Sequence, residues 1–484
     1  ALVRYDIARE ARFDPHTWGS VSAWWVGFGM LGGAIFFMRF VIQWLASERR
    51  GESVMPLSFW YVSLFGGLML LVYVIHVRDA VLAIGQAGGM VVYLRNIVLS
   101  QGERGKHISS VVVLLILSTF LSVTALDSVA LWASGEARAA QISREMILTS
   151  DYVVPHLNGN VALTKPPLYH WLTVVTYYIF GVGEFAARIP SALAGVFTVI
   201  VVYLLGRRMF DRTTGFLAGV ILATSVELLT NARAARTDMV YTFFTVSAIA
   251  SFVYAATSAN HGRSFYVLSF AFMGLAFMTK GPAGLFLPLV TGVVYLYLAG
   301  RKQEIGRIPW WVGAAVFLAI TLPWHIAVAL NVPAKALEYY FWGQLARWSM
   351  GGLPAGGAAH GIVVILWNLA RNSILSLGFY VAYLFKSLFP WSLFLPAALA
   401  ASYRSVRLKD RGFTALPLVW FVVGVAAFCL ADTRASRYML PMLPAGAIMV
   451  ACLWRDAISP AEVGSPPTPA ARKWLRISMW PLVA

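Results

Sequence analysis

Apolar stretches of about 20 residues, the length a helix needs to cross a bilayer, recur along this chain with short polar breaks. The pattern predicts about thirteen transmembrane helices. Three lie near residues 22–45, 55–77 and 79–100, separated by ASERRGES and HVRD and followed by QGERGKH. The others lie near 109–130, 186–206, 213–232, 239–257, 264–280, 282–299, 309–330, 377–401, 414–431 and 438–454. Two longer segments, from Trp132 to about Gly183 and from about Asn331 to Ser376, break the pattern. The first is polar, amphipathic and rich in Pro, His and Asn, and both are expected outside the membrane. After residue 454 the stretch AISPAEVGSPPTPAARK is hydrophilic and Pro-rich, which predicts a linker, and KWLRISMWPLVA begins a further helix. The expected divisions are residues 1–21, 22–105, 106–454 and 455–484. No internal repeat is evident.

Successive spans must alternate sides, so basic loops report orientation. GRRMFDR, AGRKQEIGRIP and SYRSVRLKDRG fall on one side with ERR and ERGKH. That side is the cytoplasm; the N-terminus and both long loops are then outside, and residue 454 is inside. Composition agrees: 59% of residues are hydrophobic and 12% charged, which excludes an ordinary cytosolic enzyme. The net charge of +17 follows from cytoplasmic loops and anionic lipid, and no nucleic-acid partner is expected. Cys429 and Cys452 both lie in apolar runs, so neither a disulfide framework nor a Cys-rich metal site is available. Residues 1–18 lack the apolar core of a signal peptide, which leaves targeting to the spans themselves.

Basic residues on the non-cytoplasmic side oppose the orientation rule and need another reason. They are Lys165 in LTKPPLYHW, Arg233 and Arg236 in NARAARTD, Lys280 in TKGP, Arg347 in QLARW, and Arg434 and Arg437 in DTRASRY. Turns that each contribute a cation can together cradle a phosphate; the alternative is that each snorkels to lipid headgroups. Carboxylates on that face include Glu136, Glu145, Asp151, Glu184, Asp238, Glu338 and Asp432. Asp238 follows two arginines at a span boundary, where it suits a general base, a metal ligand, a hydroxyl acceptor or a structural ion pair. Glu136 opens an amphipathic helix, as a catalytic group or as a charge complementing the helix dipole. His156 and His170 flank the Lys165 segment, with a loop hydrogen bond the expected role of His156. Within the first three helices Arg39, Gln43, Arg95 and Asn96 either bind a headgroup or lock the helices together.

Two stretches resemble known families. Residues 22–100, especially RFVIQWLASERRGESVMPLSFWYVSLFGGLMLLVYVIHVRDAVLAIGQAGGMVVYLRNIVL, closely resemble the lipid-A-biosynthesis N-terminal domain, a three-helix module similar to half-size sugar-transporter units. Residues 109–454 resemble the GT-C glycosyltransferases of the protein mannosyltransferase class, which includes the lipid A aminoarabinose transferases. The motifs are GEARAAQISREM, DYVVPHLNGN with KPPLYHW, AARTDMV, TKGP, LPWH, FPWSLFLP and SRYMLPMLP. The resemblance implies an all-α polytopic membrane protein with a GT-C fold and amphipathic periplasmic helices, preceded by the three-helix module. It implies a membrane glycosyltransferase in the bacterial inner membrane. The enzyme would take a sugar from a polyprenyl-phosphate carrier and pass it to a lipid A-like or other envelope acceptor at the periplasmic face. Helices 22–100 are expected to contact membrane lipids and to pair with another copy or a membrane partner.

Carried residue by residue, the resemblance sets Lys165 beside the carrier phosphate, Asp238 in the active cavity, and Arg347 and Tyr438 near the phosphate. Arg233, Arg236, Lys280 and Arg437 join the expected phosphate-binding set, and Asp238 and Glu136 are the catalytic candidates. The chain departs from the family's pattern at three places. Gly135-Glu136 stands where the family has an Asp-Glu pair, Thr164 replaces a glutamate before the Lys-Pro motif, and Trp342-Gly343-Gln344 replaces a Glu-His before the loop arginine. These changes argue against a divalent metal, and no other cofactor is implied. They also motivate a second reading, a non-catalytic lipid-binding scaffold or subunit of a membrane complex, and leave sugar translocation by the first three helices as a third.

Overall fold

The computed structural model describes residues 23–77, 79–131, 133–258, 262–334, 337–338, 340, 362–407, 415–429 and 434–458. They fall into two compact units divided between Val113 and Leu114.

The first unit is built on α1 (Ala23–Arg50), α2 (Leu57–Val77) and the first part of α3 (Ala80–Val123). Lipid offers apolar side chains no less than protein does, so close backbone packing has to hold such helices together. A Cβ on Gly66 of α2 would lie 2.6 Å from the Phe36 backbone nitrogen of α1. Only a residue without one admits that approach. Arg39, in α1, donates to the Tyr93 hydroxyl in α3 at 2.9 Å, and its guanidinium lies 3.7 Å from the Phe36 ring centroid and 5.7 Å from that of Phe59 in α2. Of the two roles open to Arg39, this geometry is the lock: one side chain touches all three helices. The sequence reads QGERGKH as a break, but α3 runs through it without interruption. The stretch has no proline, and its glutamate, arginine and lysine are good helix formers.

The second unit begins at the end of α3. The segment expected outside the membrane forms α4 (Ser134–Thr149), a two-stranded hairpin of β1 (His156–Leu157) and β2 (Asn160–Val161), and α5 (Leu168–Phe180). In α4 the buried residues Ala139, Ile142, Ser143 and Met146 recur at helical spacing, while Arg138, Arg144 and Leu148 are exposed. Ile142 and Met146 pack on Val174 of α5. Asn158 and Gly159, both with positive φ, make the two-residue turn that an Asn-Gly pair favours. Glu145 of α4 holds that turn, accepting from the Asn158 and Gly159 backbone N–H groups at 2.8 and 3.2 Å.

The remaining elements are α6 (Glu184–Met209), α7 (Arg212–Ala223), α8 (Val226–Ala232), α9 (Thr237–Thr257), α10 (Gly262–Lys280), α11 (Ala283–Leu298), α12 (Gln303–Arg307), α13 (Trp310–Asn331), α14 (Ile362–Ser387), α15 (Leu395–Arg407), α16 (Ala415–Cys429) and α17 (Leu443–Ile458). Two 3-10 segments, Trp391–Phe394 and Ser436–Met442, precede α15 and α17. Among the described residues six helices are long and apolar enough to cross a membrane, seven if the bent pair α7 and α8 forms one span, and four shorter apolar helices accompany them. α9 is apolar all round and almost wholly buried, packed on α6, α10 and α11. That central helix carries the site.

Candidate active site

The first turn of α9 and the last turn of α10 adjoin, because a short connection makes the two helices antiparallel neighbours. Asp238, 2% exposed, stands at the amino end of one, and Lys280 at the carboxyl end of the other. Each charge complements its own helix dipole. The Lys280 ammonium donates to Asp238 Oδ1 at 2.5 Å, and Arg437, from the 3-10 turn before α17, brings its Nε to 3.5 Å from Oδ2. The sequence suggests that Asp238 pairs with the arginines just before it. The partners are instead Lys280 and Arg437, because the extended backbone at Arg236 carries that side chain away from the helix it precedes. Lys165, in the Lys-Pro segment before α5, donates to Thr237 Oγ1 at 2.7 Å. Lys280 also faces the rings of Tyr241 and Tyr438, at 5.0 and 4.7 Å from their centroids. Thus Lys165, Asp238, Lys280, Arg437 and Tyr438 converge as the sequence expects, with Thr237 and Tyr241 added. These two carry no charge and follow no breaking motif, so no sequence signal marks them beyond adjacency to Asp238.

Beside Tyr438 the surface turns apolar. Its ring stacks on Phe428 of α16, with centroids 5.3 Å apart. The next residue, Cys429, ends a cavity of about 580 Å³ lined by Leu377, Val381 and Phe385 of α14, Leu399 of α15, and Phe421 and Val425 of α16. An apolar cavity therefore begins one residue from the aromatic pair that borders the cationic cluster.

Arg233 and Arg236 do not join that cluster. With Glu136, Arg188 and Asn231 they line a separate cavity of about 260 Å³. Arg188, 4% exposed, donates to the carbonyls of Leu126 and Val129 at 2.5 and 2.6 Å and through Nε to Glu136 Oε1 at 3.3 Å. Glu136 Oε1 also accepts from the Ala235 N–H at 2.7 Å. Arg233 donates to the carbonyls of Leu121 and Thr124 at 3.1 and 2.7 Å, satisfying groups that the end of α3 leaves open. Arg236 Nε is buried without a hydrogen-bond partner among the described residues. Sequence reasoning missed Arg188, which sits inside an apolar span and opposes no orientation rule. A buried arginine in such a helix is itself the signal.

Of the other candidates, Arg434 donates through Nε to Ser376 Oγ at 3.0 Å, and Arg347 and Asp432 lie outside the described residues. His170 approaches Ser143 Oγ through Nδ1 at 3.1 Å. Burial, with Lys165 nearby, pushes its pKa down to about 4. His156 sits in β1, 3.9 Å from Asp151. Among the described residues no three His, Cys, Asp or Glu side chains group to hold a metal ion.

Comparison with known proteins fits this geometry. Residues 28–98 match the family described as Lipid A Biosynthesis N-terminal domain, and residues 164–326 match Dolichyl-phosphate-mannose-protein mannosyltransferase. The second match includes Lys165, Asp238 and Lys280. The chain is 29% identical over 334 residues to undecaprenyl phosphate-alpha-4-amino-4-deoxy-L-arabinose arabinosyl transferase 2 of Pseudomonas fluorescens, covering 68% of this chain and 53% of the relative. It is 31% identical over 326 residues to arabinosyl transferase 1 of the same organism, covering 66% and 55%. The chain thus spans little more than half the length of these curated relatives. A crystal structure of ArnT from Cupriavidus metallidurans bound to undecaprenyl phosphate superposes with a TM-score of 0.60 at 22% identity, over 77% of this chain and 69% of that one. The likeness establishes a shared fold, the GT-C fold of polytopic membrane glycosyltransferases. In this chain a stretch similar to the Lipid A Biosynthesis N-terminal domain, residues 28–98, therefore precedes one similar to the Dolichyl-phosphate-mannose-protein mannosyltransferase family, residues 164–326.

Proposed function

We propose that this protein is a membrane glycosyltransferase that moves a sugar from a polyprenyl-phosphate carrier to a lipid A-like or other envelope acceptor. We place it in the bacterial inner membrane with its site at the periplasmic face. The observation that carries the reading is the pairing of Lys280 and Arg437 with one buried carboxylate, Asp238, while Lys165 donates to the adjacent Thr237, near an apolar cavity. Three cations against one anion leave the cluster attractive to a phosphate, and the apolar cavity suits the carrier's hydrocarbon chain. The relatives named for undecaprenyl-phosphate aminoarabinose transfer support the same chemistry.

In the proposed reaction an acceptor oxygen attacks the anomeric carbon while the bond from that carbon to the carrier phosphate oxygen breaks. The bonding electrons leave with the phosphate, whose added charge Lys165, Lys280 and Arg437 stabilise. Asp238 holds Lys280 and Arg437 in place. An acceptor phosphate, already anionic, needs no general base, which suits a cluster whose Asp238 is held by cations, as Glu136 is by Arg188 in the neighbouring cavity. The test is transfer of radiolabelled sugar from a polyprenyl carrier in proteoliposomes. Lys165→Ala and Asp238→Asn should each abolish most of it, and unchanged transfer in both would sink the assignment. The engagement of both carboxylates also favours a second reading, a lipid-binding scaffold. Carrier binding without any turnover would identify that role.

A further inference from the structure

The cavity lined by Glu136, Arg188, Asn231, Arg233 and Arg236 shares no lining residue with the Lys165–Asp238–Lys280–Arg437 cluster. Its charges do not balance. Three guanidinium groups face it with one carboxylate, and Glu136 is already held by Arg188. Arg233 is satisfied by carbonyl dipoles and has no carboxylate partner among the described residues. Arg236 has a buried Nε with no hydrogen-bond partner among the described residues. Leaving a buried cationic donor unsatisfied costs free energy unless something absent from the protein completes it. The neighbouring backbone leaves room for that something: Gly135 is exposed, and a Cβ there would meet only Arg236 Nε, at 3.8 Å.

We propose that this cavity is a second anion site, distinct from the carrier-phosphate cluster, and that it takes the phosphate monoester of a lipid headgroup. A planar guanidinium matches phosphate oxygens well, and about 260 Å³ admits a phosphate with part of the sugar that bears it. Arg236 and Asp238, two residues apart at the start of α9, set the two sites side by side. This extension rests on the proposed glycosyl transfer, because it assigns the second site to the acceptor. A phosphate oxygen held there attacks the anomeric carbon of a sugar whose carrier phosphate lies at the first site. The carrier's C–O bond breaks, its electron pair leaves with the carrier phosphate, and a dianionic acceptor phosphate gives up no proton.

The experiment measures binding to the full chain in nanodiscs. The probes are a phosphomonoester-bearing glycolipid, its dephosphorylated form, inorganic phosphate and undecaprenyl phosphate, each against Arg236→Gln and Gly135→Asp. The first variant removes the charge of Arg236, whose Nε lacks a hydrogen bond among the described residues, and the second supplies an internal carboxylate that competes for it. Both should weaken the phosphorylated glycolipid by roughly tenfold while leaving undecaprenyl phosphate unchanged. Equal losses for undecaprenyl phosphate would overturn the separation of the sites. No loss for any probe in Arg236→Gln would overturn the anion site itself, whatever Gly135→Asp does to folding. Inorganic phosphate binding as tightly as the phosphorylated glycolipid would overturn the headgroup as its source. Failure of the unaltered protein to bind undecaprenyl phosphate, with glycolipid binding intact, would count against the carrier reading and leave the second site standing.

Discussion

Lys280 and Asp238, 42 residues apart in the chain, meet at 2.5 Å where α10 ends and α9 begins. Asp238 is almost wholly enclosed, and Arg437 at 3.5 Å is its other ionic partner. Removing one member of a buried pair leaves the other charge uncompensated, at a cost of about 3–5 kcal/mol. Lys280→Ala should therefore lower the unfolding midpoint in detergent as well as sugar transfer, while Lys280→Arg restores most of the stability. Equal stability of Lys280→Ala and the unaltered protein would show that Arg437 alone holds Asp238.

Arg188 joins the end of α3 to the start of α4 through two carbonyls and Glu136. A lysine carries the same charge but cannot spread its donors as a planar fork. Arg188→Lys should cost about 1.5–3 kcal/mol, the scale of a charged hydrogen bond. A thermal shift assay that registers no change would contradict this bridging role.

His170 predicts a pH dependence. Its pKa of about 4, below the ordinary value of 6.5, means that the unfolded chain binds the proton first as pH falls. Between about pH 6.5 and 4 the unfolded state holds more protons, so stability drops across that window and levels below it. The loss should approach about 3 kcal/mol and be absent in His170→Gln. A stability profile of that variant matching the original slope would remove His170 as the cause.

Glu145 acts at lower pH. Burial raises its pKa, but hydrogen bonds from Gln141 and the Asn158 and Gly159 backbone more than offset this, and the net shift is downward. Its contribution is present above the usual carboxylate value and lost as pH falls through the lower folded one. Proteolysis at the Asn158–Gly159 turn should accelerate only on that acid side, and in Glu145→Gln at neutral pH.

In the first unit, Tyr93→Phe removes the hydroxyl that accepts from Arg39 and keeps the ring. The loss should be about 1 kcal/mol, whereas Arg39→Leu also loses the cation–π contacts and should cost more. Equal effects of the two substitutions would show that the aromatic contacts contribute nothing.

Much of this protein was legible in its residue order. Apolar length announced the long helices, amphipathic spacing announced α4, and basic residues at turns marked Lys165, Lys280 and Arg437. Those signals are local: hydropathy and charge act on each segment wherever it ends up. Two local signals went unread, the Asn-Gly turn of the hairpin and the arginine within the α6 span. The continuity of α3 also overrode its polar break, because helix propensity there has no proline to oppose it.

Charge pairing was not local. The sequence places Arg233, Arg236 and Asp238 within six residues, yet the fold turns the arginines to one cavity and the carboxylate to Lys280 and Arg437. Likewise Glu136, a catalytic candidate by position, meets Arg188 from a helix 52 residues on. Sequence determined which segments are apolar enough to favour a bilayer and which cations need an explanation, since transfer free energy is a property of each segment. Only tertiary structure decided which charges neutralise one another and which remain for a ligand, because electrostatic energy depends on distance in space.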